Sequence, residues 1–342
     1  MAPRNASWAW CSSTERAAPG GRAKCWLGQI SHENFPHAAR APLLTACNLA
    51  IGNFDGVHLG HQALLRAMRE NAARAGRQAG VLTFDPHPAA LLRPDRDHSY
   101  LTTTPERLAV FAALPLDFSV VYPFSLETAR TPAAEFIAQV QRATQMAALW
   151  VGPDFALGRN REGDVPALRA IGQTLGYTVH TIEPFQLHNE EVRSGRIRSY
   201  LLAGDVQAAG RQLGRLYQVS GQVVMGAQRG RTLGFPTANL AVPQQRLLPA
   251  NGVYATWALL EDGQRLASVT NVGVRPSFDN GQRTVESYLL DFDGNLYGQA
   301  LTLQFAARLR PEQRFPNIEA LAAQIRQDAA AARQLLTPGR AG

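Results

Sequence analysis

Residues 51–61 read IGNFDGVHLGH: two glycines and an Asp-Gly turn, then two imidazoles separated by Leu-Gly. Before them, LTACNLAIGNF has the apolar continuity of a buried strand. After them, GHQALLRAMRENAARAG has helical apolar spacing and ends on glycine. A strand, a glycine-rich loop and a helix in that order place free N–H groups and the positive end of a helix dipole where a phosphate can sit. Gly52 and Gly56 let the backbone approach a ligand or turn with positive φ. Gly60 removes side-chain bulk between the histidines. His58 and His61, three apart, can share one side of a turn and donate hydrogen bonds to phosphoryl oxygens. A metal site would need a third ligand, and neither a His-Glu-x-x-His helix nor a cysteine supplies it. Ordinary polar loop residues are the remaining alternative.

Working outward, the strand–helix alternation continues to about Pro184. AGVLTFDPHP, DFSVVYPF, ALWVGPDF and YTVHTIEPF read as strands. TPERLAVFAAL and TPAAEFIAQVQRATQ read as Thr-Pro-capped helices, and VPALRAIGQTLG as a third. Repeated units of this kind predict a Rossmann-like α/β domain, a parallel sheet with helices on both faces and ligands beyond the C-terminal ends of its strands. After Arg215 short strands alternate with turns such as EDGQ, FDNGQ and DFDGN. They predict a small antiparallel β-barrel, closed by an amphipathic terminal helix in NIEALAAQIRQDAAAARQLL. The expected division is an extension without fold over 1–43, an α/β domain over 44–198, a helical connector over 199–214 and a barrel domain over 215–342.

The 342 residues are 45% hydrophobic and 18% charged, enough for two cores. The formal net charge is +7, and arginine supplies nearly all of the positive side. That balance suits anionic ligands such as nucleotides. No Lys/Arg-rich run or aromatic-basic interleaving marks a nucleic-acid surface. The three cysteines, Cys11, Cys25 and Cys47, all precede residue 48, so no disulfide framework is expected and a reducing, cytoplasmic home is. No apolar run is long enough to span a bilayer, and residues 1–30 lack the apolar core of a secretory signal.

With these motifs in order, the chain resembles the bacterial bifunctional riboflavin kinase/FAD synthetases. The stretch at 51–61 is similar to the His-x-Gly-His signature of nucleotidyltransferases. The resemblance implies that His58 and His61 support adenylyl transfer from ATP to FMN, with Gly52, Phe54, Asp55 and Gly60 around the nucleotide. TFDPHP at 83–88 resembles the loop that lies against the flavin, implying contacts from Phe84, His87 and Pro88. VGPDFALGRNREGD at 151–164 is similar to a second flavin-side element and implies Asp154 and Phe155. By residue type alone, Phe84 and Phe155 are core aromatics. The superfamily's other signature, Ile-Ser-Ser-Thr-x-Ile-Arg, appears as VRSGRIR at 192–198. Ser194, Arg196 and Arg198 match it. Arg193 replaces a Ser and Gly195 the Thr, so the Thr hydroxyl's hydrogen bond to the triphosphate is lost. A riboflavin kinase with a weakened adenylyltransferase is therefore the alternative expectation.

In the second half, GQVVMGAQRGRTLGFPTANL at 221–240 lacks the Gly-Lys-Ser/Thr of a Walker A loop and reads by spacing as a turn-rich β segment. It resembles the riboflavin kinase signature, which implies ATP contacts from Gly230, Arg231, Thr237 and Asn239, the last two also holding Mg²⁺ through oxygen donors. NVGVRPSF and VESYLLDFDGNLYG resemble later parts of that family. They imply that Arg275 contacts flavin or phosphate and that Glu286 is the base for the ribityl 5′-hydroxyl. The strand alternation lets Glu286 face the barrel interior. The implied substrates are ATP, riboflavin and FMN, the implied cofactor is Mg²⁺, and the expected protein is a monomer or transient homo-oligomer with no nucleic-acid or membrane partner.

Overall fold

The structure is a computed structural model and describes residues 9–12, 46–93, 99–226, 234–274 and 283–337. Contacts divide it into two units: residues up to His98 with Thr102–Val192, and Ser99–Leu101 with everything from Arg193 on.

The first unit begins with β1 (Ala9–Ser12), β2 (Cys47–Ile51), α1 (Leu59–Arg74), β3 (Gln78–Asp85), α2 (Pro88–Leu92), α3 (Thr104–Ala112) and β4 (Phe118–Pro123). It continues through α4 (Leu126–Arg130), α5 (Ala133–Thr144), β5 (Met146–Val151), the short hairpin β6 (Ala156–Leu157) and β7 (Gly163–Asp164), α6 (Val165–Leu175) and β8 (Thr178–Thr181). A second small hairpin, β9 (Gln186–Leu187) and β10 (Glu190–Glu191), ends it. The sheet order is β1-β4-β3-β2-β5-β8, parallel except for β1. β1 departs from the expectation of no fold before residue 44. Its antiparallel pairing occupies the edge of β4, whose backbone groups would otherwise stay open.

All five residues of β2 are buried, as its central place requires. Alternate strand residues serve two cores. Leu49, Ile51, Leu82 and Val120 meet Phe136 and Ile137 of α5 and Leu168 of α6 on one face. Ala50, Val81 and Ala148 meet Leu65 and Met68 of α1 and Phe111 of α3 on the other. The α3 cap falls one residue before the Thr104-Pro105 pair read as its start: the Thr103 hydroxyl accepts from Glu106 N–H while the Glu106 carboxylate accepts from Thr103 N–H. At α5 the cap falls one residue after Thr131. Pro132 stands at its N-cap with no side-chain bond, and the Ala133 N–H is satisfied from a distance by Glu162 Oε1 at 2.9 Å.

The second unit contains α7 (Ser194–Ala203), α8 (Val206–Leu213), β11 (Tyr217–Val224), β12 (Ala238–Ala241), β13 (Gly252–Leu260), β14 (Arg265–Val274), β15 (Arg283–Leu289), β16 (Ala300–Arg310) and α9 (Ile318–Leu335). The six strands close into an antiparallel barrel in the order β11-β12-β15-β14-β13-β16. The stretch read as a connector is part of this unit. Ile197 and Leu201 of α7 and Val206, Ala209 and Leu213 of α8 share one core with the barrel interior, because each helix has a single apolar stripe to bury. The boundary accordingly falls at Arg193 rather than after residue 198. α9 lies outside the barrel, with Ala329 and Ala332 against Val253, Ala255 and Val269.

Candidate active sites

β3 and β4 extend the sheet to one side of β2, and the chain then returns to place β5 on the other. The crevice at such a reversal lies beyond the carboxyl ends of β2 and β5. From those ends leave the segments around His58 and around Asp154.

The loop after β2 is held at every turn. Phe54, Gly56 and Val57 have φ of +48°, +82° and +40°. For a β-branched residue such as Val57 this conformation is strained, at about 1–3 kcal/mol. It persists because neighbouring groups dictate it. Asp55 is buried, and its carboxylate accepts from Thr102 N–H at 3.0 Å and from the Thr102 hydroxyl. That hydroxyl accepts from Gly56 N–H at 3.0 Å. The Val57 carbonyl accepts from the Gln62 amide at 2.8 Å. The Asn53 carbonyl accepts from the Thr83 hydroxyl at 3.1 Å and from the Arg107 guanidinium at 2.5 Å. Phe54 is buried with its ring edge-on to His61 and Phe111.

His58 is the N-cap of α1. Its Nδ1 accepts from the His61 N–H at 3.3 Å. The neutral tautomer therefore carries its proton on Nε2. The two imidazoles stack with centroids 3.7 Å apart. A Cβ on residue 60 would lie 3.2 Å from the His58 ring, so glycine leaves room for this pose. Burial first, then the His58 ring and the Arg107 guanidinium, hold the His61 imidazole well below its usual pKa. His61 Nδ1 is a buried polar atom with no hydrogen-bond partner among the described residues.

The residues that the resemblance sets beside the flavin fare differently. The Phe84 ring is taken by the core, against Tyr122, Phe124 and Phe136, while its carbonyl accepts from Arg107 at 3.0 Å. His87 caps α2 through Nδ1, and Pro88 is the first residue of that helix. Asp154 is exposed and Phe155 is half-buried against the α5-side core. Their segment is clamped to α5. A Cβ on Gly158 or Gly163 would strike Ala133 at under 3 Å.

In the second unit the 192–198 signature opens α7. Arg193 is its N-cap without a side-chain cap bond, Ser194 its first residue, and Arg196 is exposed. Arg198 donates from Nε to the Ser99 carbonyl at 3.3 Å. A Cβ on Gly195 would meet nothing within 4 Å.

On the barrel, Asn239, Glu286 and Asn271 stand directly opposite one another across β12, β15 and β14. This row faces outward, not inward as the alternation had suggested for Glu286. Val285, Ser287 and Leu289 are the buried set of β15, and Tyr288, on the Glu286 face, packs with the α9 core. Thr237 lines a cleft of about 460 Å³ with Val223, Pro236, Leu289, Phe292, Asp293, Asn295 and Tyr297. A Cβ on Gly226 would lie 2.3–2.7 Å from the Asn239 amide, so glycine makes the space Asn239 occupies. Gly230, Arg231 and Arg275 lie outside the described residues. The sequence motifs did not single out Thr102 or Arg107. Their roles are set by long-range contacts, which no local spacing announces.

Two family models match the chain: FAD synthetase over residues 41–196 and riboflavin kinase over residues 213–336. A bifunctional riboflavin kinase/FMN adenylyltransferase of Pseudomonas fluorescens is 38% identical over 300 residues, covering 85% of this chain and 94% of that protein. The chain belongs to this family. It is a bifunctional riboflavin kinase/FMN adenylyltransferase family member that phosphorylates riboflavin with ATP to give FMN and adenylylates FMN with ATP to give FAD and pyrophosphate. The Haemophilus influenzae relative of the same name is 34% identical over 84% of this chain and 93% of that protein. A solved structure described as a macrolide-efflux protein from Streptococcus pneumoniae has the same fold, with a TM-score of 0.76 at 27% identity, over 84% of this chain and 94% of that one. Among the described residues of this flavin-cofactor enzyme, no helix is long and apolar enough to cross a membrane.

Proposed function

We propose the following division of labour for the two reactions. In the barrel, Glu286 takes the proton of the ribityl 5′-hydroxyl as that oxygen attacks the γ-phosphorus of ATP and ADP leaves. Thr237 and Asn239 hold the nucleotide's phosphates, with its remaining bulk in the cleft beside Thr237. Their neutral oxygens, with the Glu286 carboxylate opposite Asn239, are a donor set suited to Mg²⁺. Among the described residues no group of three His, Cys, Asp or Glu could hold a metal, so the ion would be shared with the triphosphate. When bound it neutralises charge on the transferring phosphoryl group.

In the α/β unit the loop at 52–58 cradles the triphosphate of a second ATP. His58 and His61 stabilise charge as an FMN phosphate oxygen attacks the α-phosphorus. The α–β bridge breaks and pyrophosphate leaves. His87, Pro88, Asp154 and Phe155 border the flavin, Phe84 contributing through the wall it builds. Both reactions use small molecules in the cytoplasm, by a monomer or transient homo-oligomer, without a nucleic-acid or membrane partner. Cys47 supports a reducing home: it is free and buried, and burial raises its thiol pKa to about 12.

The observation that carries the kinase assignment is the register Asn239–Glu286–Asn271, which sets a carboxylate beside an amide on one barrel face. Glu286→Gln is expected to cut FMN formation from riboflavin by about 10²–10⁴-fold. FAD formation from supplied FMN should survive. Chromatographic separation of the flavins reads both, and joint loss of the two activities would argue against separate sites. A second reading, a weakened or lost adenylyltransferase, is favoured by Arg193 and Gly195 standing where the signature has Ser and Thr.

A further inference from the structure

The outward row that carries Glu286 does not end at Asn271. Asn271 pairs with Val253 of β13, and Val253 with Arg310 at the end of β16. The chain leaving β16 brings Glu312 over Gly273, the next position of β14 on the Asn271 face. A Cβ on Gly273 would lie 2.0 Å from Glu312 Oε1, 2.8 Å from its Cδ and 3.2 Å from Asn271 Nδ2. Only glycine leaves this space to the carboxylate. Successive positions on one face of a strand are about 7 Å apart. A second carboxylate thus stands one step along from Glu286, with the Asn271 amide beside it.

Glu312 is held in a pinned segment. Before it, Arg310 donates to Asp328 of α9 at 2.8 Å and stands 5.6 Å from the Phe315 ring centroid. After it, the Gln313 amide donates to Gln324 Oε1 at 3.3 Å, and Asn317 caps α9. Glu312 itself is exposed, and among the described residues its carboxylate has no hydrogen bond or ion pair. Arg283 feels its charge, behind the stronger effects of burial and Tyr254. The Arg283 guanidinium is committed elsewhere, to Asn251 Oδ1 at 3.0 Å and to the Leu248 and Pro249 carbonyls. Two carboxylates on one face repel each other. A ligand with several hydroxyls supplies donors to both. Riboflavin carries such a chain, with the reacting hydroxyl at one end and three more behind it.

We propose that Glu312 is a specificity-determining residue of the kinase reaction: its carboxylate accepts a hydrogen bond from a ribityl hydroxyl other than the one phosphorylated. The chain is thereby strung along the barrel face with its terminal hydroxyl at Glu286. The proposal rests on the assignment of Glu286 made above.

The test uses the full-length chain, Mg-ATP and four acceptors: riboflavin and its 2′-, 3′- and 4′-monodeoxy analogues. Products are separated chromatographically, and FAD formation from supplied FMN is the internal check on the other unit. Glu312→Ala should lower kcat/KM for riboflavin by about ten- to a hundredfold, as for one lost hydrogen bond to a charged acceptor. The loss should lie mostly in KM. One monodeoxy analogue, the one lacking the bonded hydroxyl, should change by less than twofold, while the other two fall as riboflavin does. Glu312→Gln keeps an acceptor oxygen over Gly273 and should lose only severalfold on riboflavin. It carries the test, with the same single analogue spared, if Glu312→Ala fails to fold. An equal loss on all four acceptors, or a riboflavin kcat/KM within twofold of the parent in Glu312→Ala, overturns the proposal. Glu286→Gln, run alongside, should lose all four acceptors alike. If it keeps the parental rate on them, the base assignment fails instead, whatever Glu312 does.

Discussion

At the scale of single residues, the stretch VRSGRIR at 192–198 departs at two positions from Ile-Ser-Ser-Thr-x-Ile-Arg, the signature it resembles. Gly195 is the second residue of α7, and a Cβ there meets open space. A threonine fits without displacing a neighbour, gains a few tenths of a kcal/mol in helix propensity and restores a hydroxyl at the helix N-terminus. One such bond to a charged phosphate contributes about 1.5 kcal/mol or more, roughly tenfold in rate if it forms in the transition state. Gly195→Thr should therefore raise FAD formation from FMN by up to about tenfold and leave riboflavin phosphorylation unchanged. An FAD rate within twofold of the parent would mean that Ser194 and the arginines already meet the need.

At the scale of elements, α9 is tied to the barrel by one buried fork. Arg310 donates to Asp328 from Nε at 3.0 and 3.1 Å and from a terminal nitrogen at 2.8 Å, and Asp328 is 5% exposed. Removing one partner strands the other charge. Asp328→Ala should destabilise the barrel unit by about 3 kcal/mol, read as a lower urea midpoint in Trp257 fluorescence. A loss under about 1 kcal/mol would show that the apolar contacts of Ala329 and Ala332 alone seat the helix. The helices and strands themselves were legible because their apolar periods are regular, as in β2 and α5. The direction of Glu286 was not. Alternation along VESYL defines two faces but not which is inside, and this barrel puts hydroxyls in its interior. Thr256, Ser268, Thr270 and Ser287 are fully buried and bonded to one another at 2.6–3.0 Å. Polarity therefore did not mark the outside. The His-x-Gly-His loop was legible because its glycines are local. Thr102 and Arg107, which hold it, come from 47 and 54 residues away.

At the scale of the whole molecule, ionisable side chains are divided unevenly between the units. All eight histidines precede residue 193, and none lies in Ser99–Leu101, so the barrel unit has no group that titrates unperturbed near pH 6.5. In the first unit burial lowers the pKa of both His61 and His180. The unfolded chain, with histidines near 6.5, then binds protons that the folded unit refuses. Stability rises with pH wherever the unfolded state holds more protons, so it is unaffected by these groups above about pH 7 and falls as pH drops through about 6.5. The buried His61 alone sets a slope of up to about 1.4 kcal/mol per pH unit until its folded value is reached. Urea unfolding followed through the amide resonances of each unit should show the first unit's midpoint falling between pH 7.5 and 5.5, with the barrel's nearly constant. Equal shifts in both units would mean that carboxylates, not histidines, control the acid response. The functional consequence follows from the order of the reactions. The kinase half makes FMN and the adenylyltransferase half consumes it, so mild acidification should accumulate FMN at the expense of FAD.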